Sequence, residues 1–517
     1  METQHVALET GTRKRAAKSE EKPSPLKWSV LPADIRVMIL EQAMLLRDES
    51  KPKRRSRSKA ASRRLQQLLR KRGRKACPGV CSEWRDFFDS RSFASLTLDS
   101  VAATARFREI VTGRRTQFVR RIHLHVELPA RRSWTGTDKE EHIRHNNDLF
   151  TAQLLAVLRA LSTWETSNSG LTLELSAAQR GNKEHKFQRD RDNWLYQGPE
   201  TWRNARNARR ITLGNLLGLR LSTPERVPVP GGGSANDDCS ELPEVRAVTR
   251  LVVSRSRYRS LSWYTIRHLF KSFTRLEEIS YEPWRGLDWG DHVERDHANE
   301  ILLRELPASA KRVSLWEASF QGLARQFSER ERRIDELAEA AVEASRRLEF
   351  FSACFAIDAR QFFRGYEPGH AVPPGSWPKL TSLVLTSDAF GESAPNKDAD
   401  SLLRAASMAV ERMPKLEVME LWSSGNMKGF IFRYEVVDCR PKVTVEATWK
   451  YKLRQSVLAA WQATAKALTG YELEVEINHI QGFDTYVMTS MWDRLRLKEA
   501  VRVPVPGRAE TGDSVEW

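Results

Sequence analysis

Apolar residues recur along most of this sequence in one short pattern: an apolar residue, two variable residues, an apolar residue, one variable residue and a third apolar residue. The first two copies are Phe93-Leu96-Leu98 and Val119-Ile122-Leu124, and later copies begin at Val248, Leu276, Ala310, Leu348, Leu380 and Leu416. From Leu276 onward the copies begin 34, 38, 32 and 36 residues apart. A nearly constant period of this length predicts stacked structural repeats.

Each of these periods places a helical stretch before the strand. The stretches WYTIRHLFKSF and DADSLLRAASMAVERM have helical spacing, and a longer one before Leu348 carries an apolar stripe at Leu323, Phe327, Ile334, Leu337 and Ala341. Alternation of helix and strand on this period is the plan of leucine-rich repeats. We therefore predict an α/β fold for residues 93–500, an irregular leucine-rich-repeat-like solenoid with parallel strands on one side and helices on the other.

A smaller all-α motif is predicted at residues 26–92. The stretch LPADIRVMIL reads as a turn followed by an amphipathic helix with Pro32 at its first turn. A second apolar helical face follows at Val80, Cys81, Trp84, Phe87 and Phe88. A basic insertion at about 50–76 separates the two halves. Polar tails are expected at 1–25 and 501–517, and loops at about 130–148 and 223–241.

The net charge of +17 is concentrated in one segment, because 13 lysine and arginine residues and no acid lie between Lys51 and Lys75. A local run of this kind indicates a nuclear import signal or a solvated insertion more than a folded nucleic-acid surface. It has no aromatic residue to stack on bases. The candidate import residues are Lys53, Arg54, Arg55, Arg57, Arg70, Lys71 and Arg72.

The remaining chemistry predicts a protein without cofactor or metal that is not an enzyme. The phosphate-loop, H-E-x-x-H and G-x-S-x-G motifs do not occur. Cys77 and Cys81 would need two more ligands at matching spacing to hold zinc, and His123 and His125 do not have that spacing, so reduced thiols are expected. No apolar run approaches the ~18 residues of a membrane-spanning helix. We expect an intracellular protein, cytoplasmic or nuclear.

LPADIRVMIL followed by VCSEWRDFF resembles the F-box, and the whole chain resembles the F-box-like proteins of filamentous fungi. Further blocks carry this resemblance, in this order: FVRRIHLHVELP at 118–129, YEPWRGLDW at 281–289, MPKLEVMELW at 413–422, FRYEV at 432–436 and TW at 448–449. The chain departs from the pattern at the basic insertion and at Pro78-Gly79.

The resemblance implies a subunit that recruits a target protein to an SCF-type ubiquitin ligase. Its N-terminal helices would dock in a groove of a Skp-type adaptor, and through it reach a cullin, while its repeats bind a protein whose identity the sequence does not reveal. Apolar anchors supply most of the affinity in such helix-in-groove contacts. Carried over by motif position, the adaptor-binding residues are Leu31, Pro32, Ile35, Ile39, Leu40, Val80, Cys81 and Trp84.

Two other functions stay open. The chain could be a recognition scaffold whose F-box no longer binds the adaptor, in which case the apolar face of the first helix packs inside the protein. A nuclear nucleic-acid-binding protein is the third reading, which depends on residues 51–75 alone. Trp284, Trp289 and Trp422 are candidates for contacts with the target or for packing within the repeats.

Overall fold

The computed structural model describes Trp28 and residues 31–49, 81–129, 140–164, 170–179, 242–253, 261–282, 289–317, 331–367, 374–390, 396–425, 428–481 and 487–501. The chain divides into two compact units, Met1–Phe88 and Asp89–Trp517. The predicted tail at 1–25, the basic insertion, the loop at 223–241 and the tail beyond Val501 lie outside the described residues.

The first unit contains helix α1 (Ala33–Glu49) and most of helix α2 (Ser82–Ser92). The carbonyl of Pro32 accepts the backbone N–H of Arg36 at 3.1 Å, so α1 starts directly after the Leu-Pro turn that the sequence indicated. The division between the units falls within α2, whereas the sequence placed the domain boundary just after it.

The second unit is built on a sheet of twelve strands among the described residues. Their order in the sheet is their order in the chain. The strands are β1 (Ser95–Leu98), β2 (Arg121–Leu128), β3 (Leu171–Gln179), β4 (Val248–Val253), β5 (Glu278–Tyr281), β6 (Arg312–Trp316), β7 (Phe350–Asp358), β8 (Ser382–Thr386), β9 (Val418–Gly425), β10 (Lys428–Val437), β11 (Arg440–Ala447) and β12 (Glu474–His479). All neighbours from β1 to β9 are parallel; β10 is antiparallel to β9 and β11, and β12 is parallel to β11.

Helices connect most of these strands. They are α3 (Val101–Ile110), α4 (Glu140–Ser162), α5 (Trp263–Ser272), α6 (Trp289–Arg304), α7 (Glu331–Ser345), α8 (Ala359–Phe362), α9 (Asn396–Val410), α10 (Gln455–Thr469), α11 (Val487–Arg494) and α12 (Lys498–Val501). The main core lies between the connecting helices and one face of the sheet, here called the first face. Strand side chains alternate between faces, so Ile122 and Leu124 enter this core with Phe351, Leu383 and Leu385.

The mixed α/β class predicted from the sequence is confirmed, and all eight apolar triplets end within strands. Strand β3 has no triplet, because Asn168 stands where the first apolar residue would be. The alternation of helix and strand is interrupted after β9 and resumes with α10 and β12. After β9 the chain forms a hairpin between β10 and β11, with Asp438 and Cys439 at φ 51° and 64°, the conformation of a type I′ turn. The loop expected at 130–148 is helical from Glu140, where α4 begins.

Candidate functional site

The opposite face of the sheet, here called the second face, carries many polar side chains, and part of it is covered by the chain itself. Residues 487–501, which contain α11 and α12 and are here called the C-terminal segment, pack on this face. Helix α11 contacts β9 and β10, and α12 contacts β6. The C-terminal segment therefore runs across the second face from β10 toward β6, that is, toward strands that come earlier in the chain.

A buried carboxylate holds the C-terminal segment on the second face. Glu420 is fully buried and accepts hydrogen bonds from Arg433 Nε at 2.8 Å and from the backbone N–H groups of Arg496 and Leu497 at 2.9 and 3.1 Å. Arg433 also donates to the carbonyl of Arg494 at 2.6 Å. Charge-assisted bonds of this kind are strong where solvent is excluded, so Glu420 fixes the path of the segment.

Aromatic residues fill the contact between the C-terminal segment and the sheet. The ring of Trp492 lies 5.0 Å from that of Trp316 and 6.5 Å from that of Trp422. A Cβ atom at Gly429 would lie 2.2 Å from Cγ of Met491, so only glycine lets Met491 approach β10 this closely. Trp422, a candidate for target contact, is fully buried here and acts in packing.

A small pocket lies where the C-terminal segment ends on the sheet. The hydroxyl of Ser314 donates to the carbonyl of Val501 at 2.5 Å. Beside it, side chains from four neighbouring strands and α12 line the pocket, among them Arg250, Glu278, Ser280, Arg312, Phe350 and Ala500. This part of the second face combines positive charge with hydroxyl groups, so it can bind polar partners.

The second face of β2 and β3 carries a further polar cluster. Arg121 pairs with the buried Glu174 at 2.5 Å. His123 and His125 each contact the hydroxyl of Ser176, at 2.7 and 2.9 Å. The two histidines are therefore held by a hydroxyl group.

Of the two cysteines that were candidates for a zinc site, Cys77 lies outside the described residues. Cys81 is half-buried and directly precedes α2, and across the described ranges no group of three or more histidine, cysteine, aspartate or glutamate side chains could hold a metal ion. Burial raises the pKa of Cys354, a buried thiol at the second face, to about 12. That thiol is protonated at neutral pH and is a poor nucleophile.

The first unit presents apolar side chains to solvent. On α1, Ile35, Val37, Met38 and Ile39 are 41%, 43%, 62% and 38% exposed. Because an α-helix has about 3.6 residues per turn, Ile35, Met38 and Ile39 lie on one side of α1, whereas Val37 projects from the opposite side. The surface formed by Ile35, Met38 and Ile39, here called the α1 apolar face, has the character of a helix that docks in a partner's groove.

An aromatic and ionic contact joins α1 to α2. The ring of Trp28 lies 5.4 Å from that of Trp84 at an interplanar angle of 60°, and its Nε1 donates to the carboxylate of Glu83 at 2.9 Å. Arg36 of α1 pairs with the same carboxylate at 3.2 Å. Trp84 also lies 5.9 Å from the ring of Phe88. Trp84 thus contributes to the packing of the two helices.

The predicted adaptor-binding residues differ in exposure. Pro32, Ile35 and Ile39 are exposed, Leu31, Cys81 and Trp84 are half-buried, Leu40 is buried, and Val80 lies outside the described residues. Met38 is at helical spacing from Ile35 in the sequence but was not among the predicted contact residues, and the exposure of Val37 was not predicted. The contacts of Trp28, Arg36 and Glu83 were not predicted either, because the sequence carries no spacing signal for them. The role of these residues in adaptor binding stays a prediction.

The candidate nuclear import residues from Lys53 to Arg72 also lie outside the described residues. In the part of the chain that the structure describes, no helix is long and apolar enough to cross a membrane.

Comparison with known families gives a match in the second half of the chain. Residues 305–502 match the model of a family of unknown function (DUF6546). The match covers less than half of the chain; it begins near β6 and includes the C-terminal segment. A search of curated proteins finds no match.

Proposed function

We propose that this protein is the substrate-recognition subunit of an SCF-type ubiquitin ligase, and not itself a catalyst. In this proposal the α1 apolar face binds a Skp-type adaptor, and the second face of the sheet binds the target protein. The observation that carries the proposal is the exposure of Ile35, Met38 and Ile39 on one side of α1.

The architecture of the second unit supports the proposed binding of a target protein by the second face of the sheet. Strands that follow each other in chain order, parallel from β1 to β9 and backed by helices on the first face, are the arrangement of a leucine-rich-repeat solenoid. We infer that the second unit is an irregular solenoid of this type. Solenoids present one long strand-lined face, and such faces bind other proteins.

The adaptor contact is supported by the chemistry of α1. The Leu-Pro turn directly precedes the helix, and the apolar residues that follow it are accessible. A core helix would bury these residues, so the exposure favours docking over the packing role that the sequence also allowed. In helix-in-groove contacts a few anchors dominate, and truncating one costs about 1–3 kcal/mol.

A second candidate function is a recognition scaffold that does not bind the adaptor. The packing of Trp84 on Trp28 favours it, because one of the predicted contact residues is engaged within the motif. The scaffold would keep the second face of the sheet as its binding surface.

Capture of full-length protein by a purified fungal Skp-type adaptor tests the proposal. We expect capture of the wild type and at least about tenfold weaker capture of an Ile35→Asp, Met38→Asp double variant, since both residues are exposed and their replacement leaves the α1–α2 packing intact. Val101→Asp is the matched control, because Val101 is 66% exposed on α3 in the other unit. Capture of the double variant at wild-type strength, or no capture of the wild type, contradicts adaptor binding and leaves the scaffold.

A further inference from the structure

The pocket at the end of the C-terminal segment has an excess of positive charge. Arg250 Nε lies 3.2 Å from one oxygen of Glu278, and Arg312 Nε lies 4.0 Å from the other, which is beyond hydrogen-bonding distance. Cα pairing places these three residues side by side on β4, β5 and β6. Two guanidinium groups and one carboxylate leave one formal positive charge. The three side chains are 37% or 38% exposed, so a ligand can reach them.

The same pocket contains the buried hydroxyl group of Ser280, which is free to donate a hydrogen bond to a ligand. Ser280 is 5% exposed, and its Oγ has no hydrogen-bond partner among the described residues. A buried hydroxyl without a partner costs about 1–3 kcal/mol. Ser280 lines the pocket with Arg250 and Arg312. A hydrogen-bond acceptor bound there would therefore accept hydrogen bonds from the Ser280 hydroxyl and from both guanidinium groups.

The size and surroundings of the pocket restrict the ligand. Its volume is about 30 Å³, which accepts the end of a side chain and not a cofactor. The ring of Phe350 is buried and lies 4.5 Å from the Arg312 guanidinium, so it supports that guanidinium at the edge of the pocket. The adjoining part of the second face already binds polypeptide, since Ser314 and Glu420 bond the backbone of the C-terminal segment.

We propose that this pocket binds an aspartate or glutamate side chain of the target polypeptide. The inference rests on the proposed function of the second face in target binding. Arg250 and Arg312 bond the ligand carboxylate, Ser280 donates its hydroxyl hydrogen to it, and Phe350 supports the Arg312 guanidinium. Glu278 keeps the two guanidinium groups apart and oriented when the pocket is free.

The test uses the full chain and three fluorescein-labelled nonapeptides of glycine and serine with a central glutamate, glutamine or lysine, measured by fluorescence anisotropy. We expect the glutamate peptide to bind about tenfold more tightly than the glutamine peptide, the effect of one charge-assisted contact. The Arg250→Gln, Arg312→Gln double variant abolishes this preference. Arg304→Gln is the control, because Arg304 pairs on the helix surface with Glu300.

A second variant separates binding from folding. Ser280→Ala weakens binding of the glutamate peptide several-fold, about the effect of one hydrogen bond, and raises the melting temperature of the free protein, because it removes a buried hydroxyl without a partner. A lower melting temperature would show that the hydroxyl is already satisfied within the fold and would contradict the site.

Three other results overturn the proposal: no preference for glutamate over glutamine, a preference that survives the double arginine variant, or no binding of any peptide at millimolar concentration. Equal binding of a labelled single-stranded oligonucleotide that is lost in the double variant would assign the pocket to phosphate instead. None of these results depends on the adaptor, so adaptor capture with failed peptide binding rejects this inference alone.

Discussion

Arg433 and Glu420 face each other directly across the antiparallel pair β9–β10, and the guanidinium Nε lies 2.8 Å from the carboxylate. The arginine side chain is 12% exposed and the glutamate is fully buried. Since the same carboxylate also binds the C-terminal segment, this ion pair couples the segment to the sheet.

Replacement of Glu420 by glutamine is expected to loosen the C-terminal segment. Removal of one charge from a buried pair is strongly destabilising, so we expect the free energy of unfolding to fall by about 3 kcal/mol. Trypsin cleavage after Arg494 and Arg496 should accelerate on the order of tenfold, because local opening becomes easier. Urea unfolding and mass spectrometry of the digest measure both effects.

Glu474→Gln is the matched control for that variant. Glu474 pairs with Lys442 at 2.9 Å but is 69% exposed, so its loss should change the free energy of unfolding by less than about 1 kcal/mol. Equal effects of the two substitutions would show that Glu420 does not hold the segment.

Gly429→Ala is expected to displace the C-terminal segment by steric overlap. The added Cβ would overlap Met491, and α11 must shift to accommodate it. We expect faster trypsin cleavage within residues 487–501 and little change in the cleavage of α9, on the first-face side of the sheet. Unchanged cleavage of the segment would mean that Met491 rearranges without moving the helix.

The cysteines should differ sharply in reactivity. Cys354 is fully buried and burial raises its pKa to about 12, whereas Cys439 is exposed in the turn between β10 and β11. Treatment with iodoacetamide at pH 8 should modify Cys439 in the native protein and Cys354 only after denaturation. Labelling of both at the same rate would indicate that the C-terminal segment leaves the second face readily.

The burial of the Tyr434 phenol predicts that the folded protein loses stability at alkaline pH. Burial raises its pKa from 10.0 to about 12, so the folded state retains the phenol proton that the unfolded chain releases. The free energy of unfolding must therefore fall as the pH rises from about 10 to about 12, by up to about 2–3 kcal/mol for this group.

Tyr434→Phe should remove the contribution of this phenol to the pH dependence, whereas Tyr451, whose pKa burial also raises to about 12, keeps its own contribution. Between pH 7 and pH 11 we expect the variant to lose about 1 kcal/mol less unfolding free energy than the wild type, as measured by urea unfolding. Tyr471→Phe is the control, because Tyr471 is 53% exposed. The same pH dependence in wild type and Tyr434→Phe would mean that the phenol ionises in the folded state.

The sequence identified the strands better than their connections. Triplets such as Leu380-Leu383-Leu385 mark strands because these side chains must enter one continuous core, and that requirement is local. The hairpin turn at Asp438-Cys439 was missed because neither residue is the glycine or asparagine that usually indicates a type I′ turn.

The contacts of the candidate surfaces were the least accessible to sequence analysis. In the sequence, Glu420 does not differ from other polar strand residues, because its partner Arg496 lies 76 residues later in the chain. Ser280 and Arg312 meet only because β5 and β6 pair in register. Apolar spacing reports on one face of an element, and it does not identify the side chains that the opposite face brings together.

The hydrogen bond from Ser314 to Val501 joins residues 187 positions apart, in a sheet whose strands otherwise pair with their neighbours in the chain. Folding can therefore progress strand by strand during synthesis, while the aromatic surface around Trp316 and Trp422 waits for residues 487–501 to leave the ribosome. Until the segment covers it, this apolar surface is exposed to solvent, and exposed apolar surface of this kind favours aggregation.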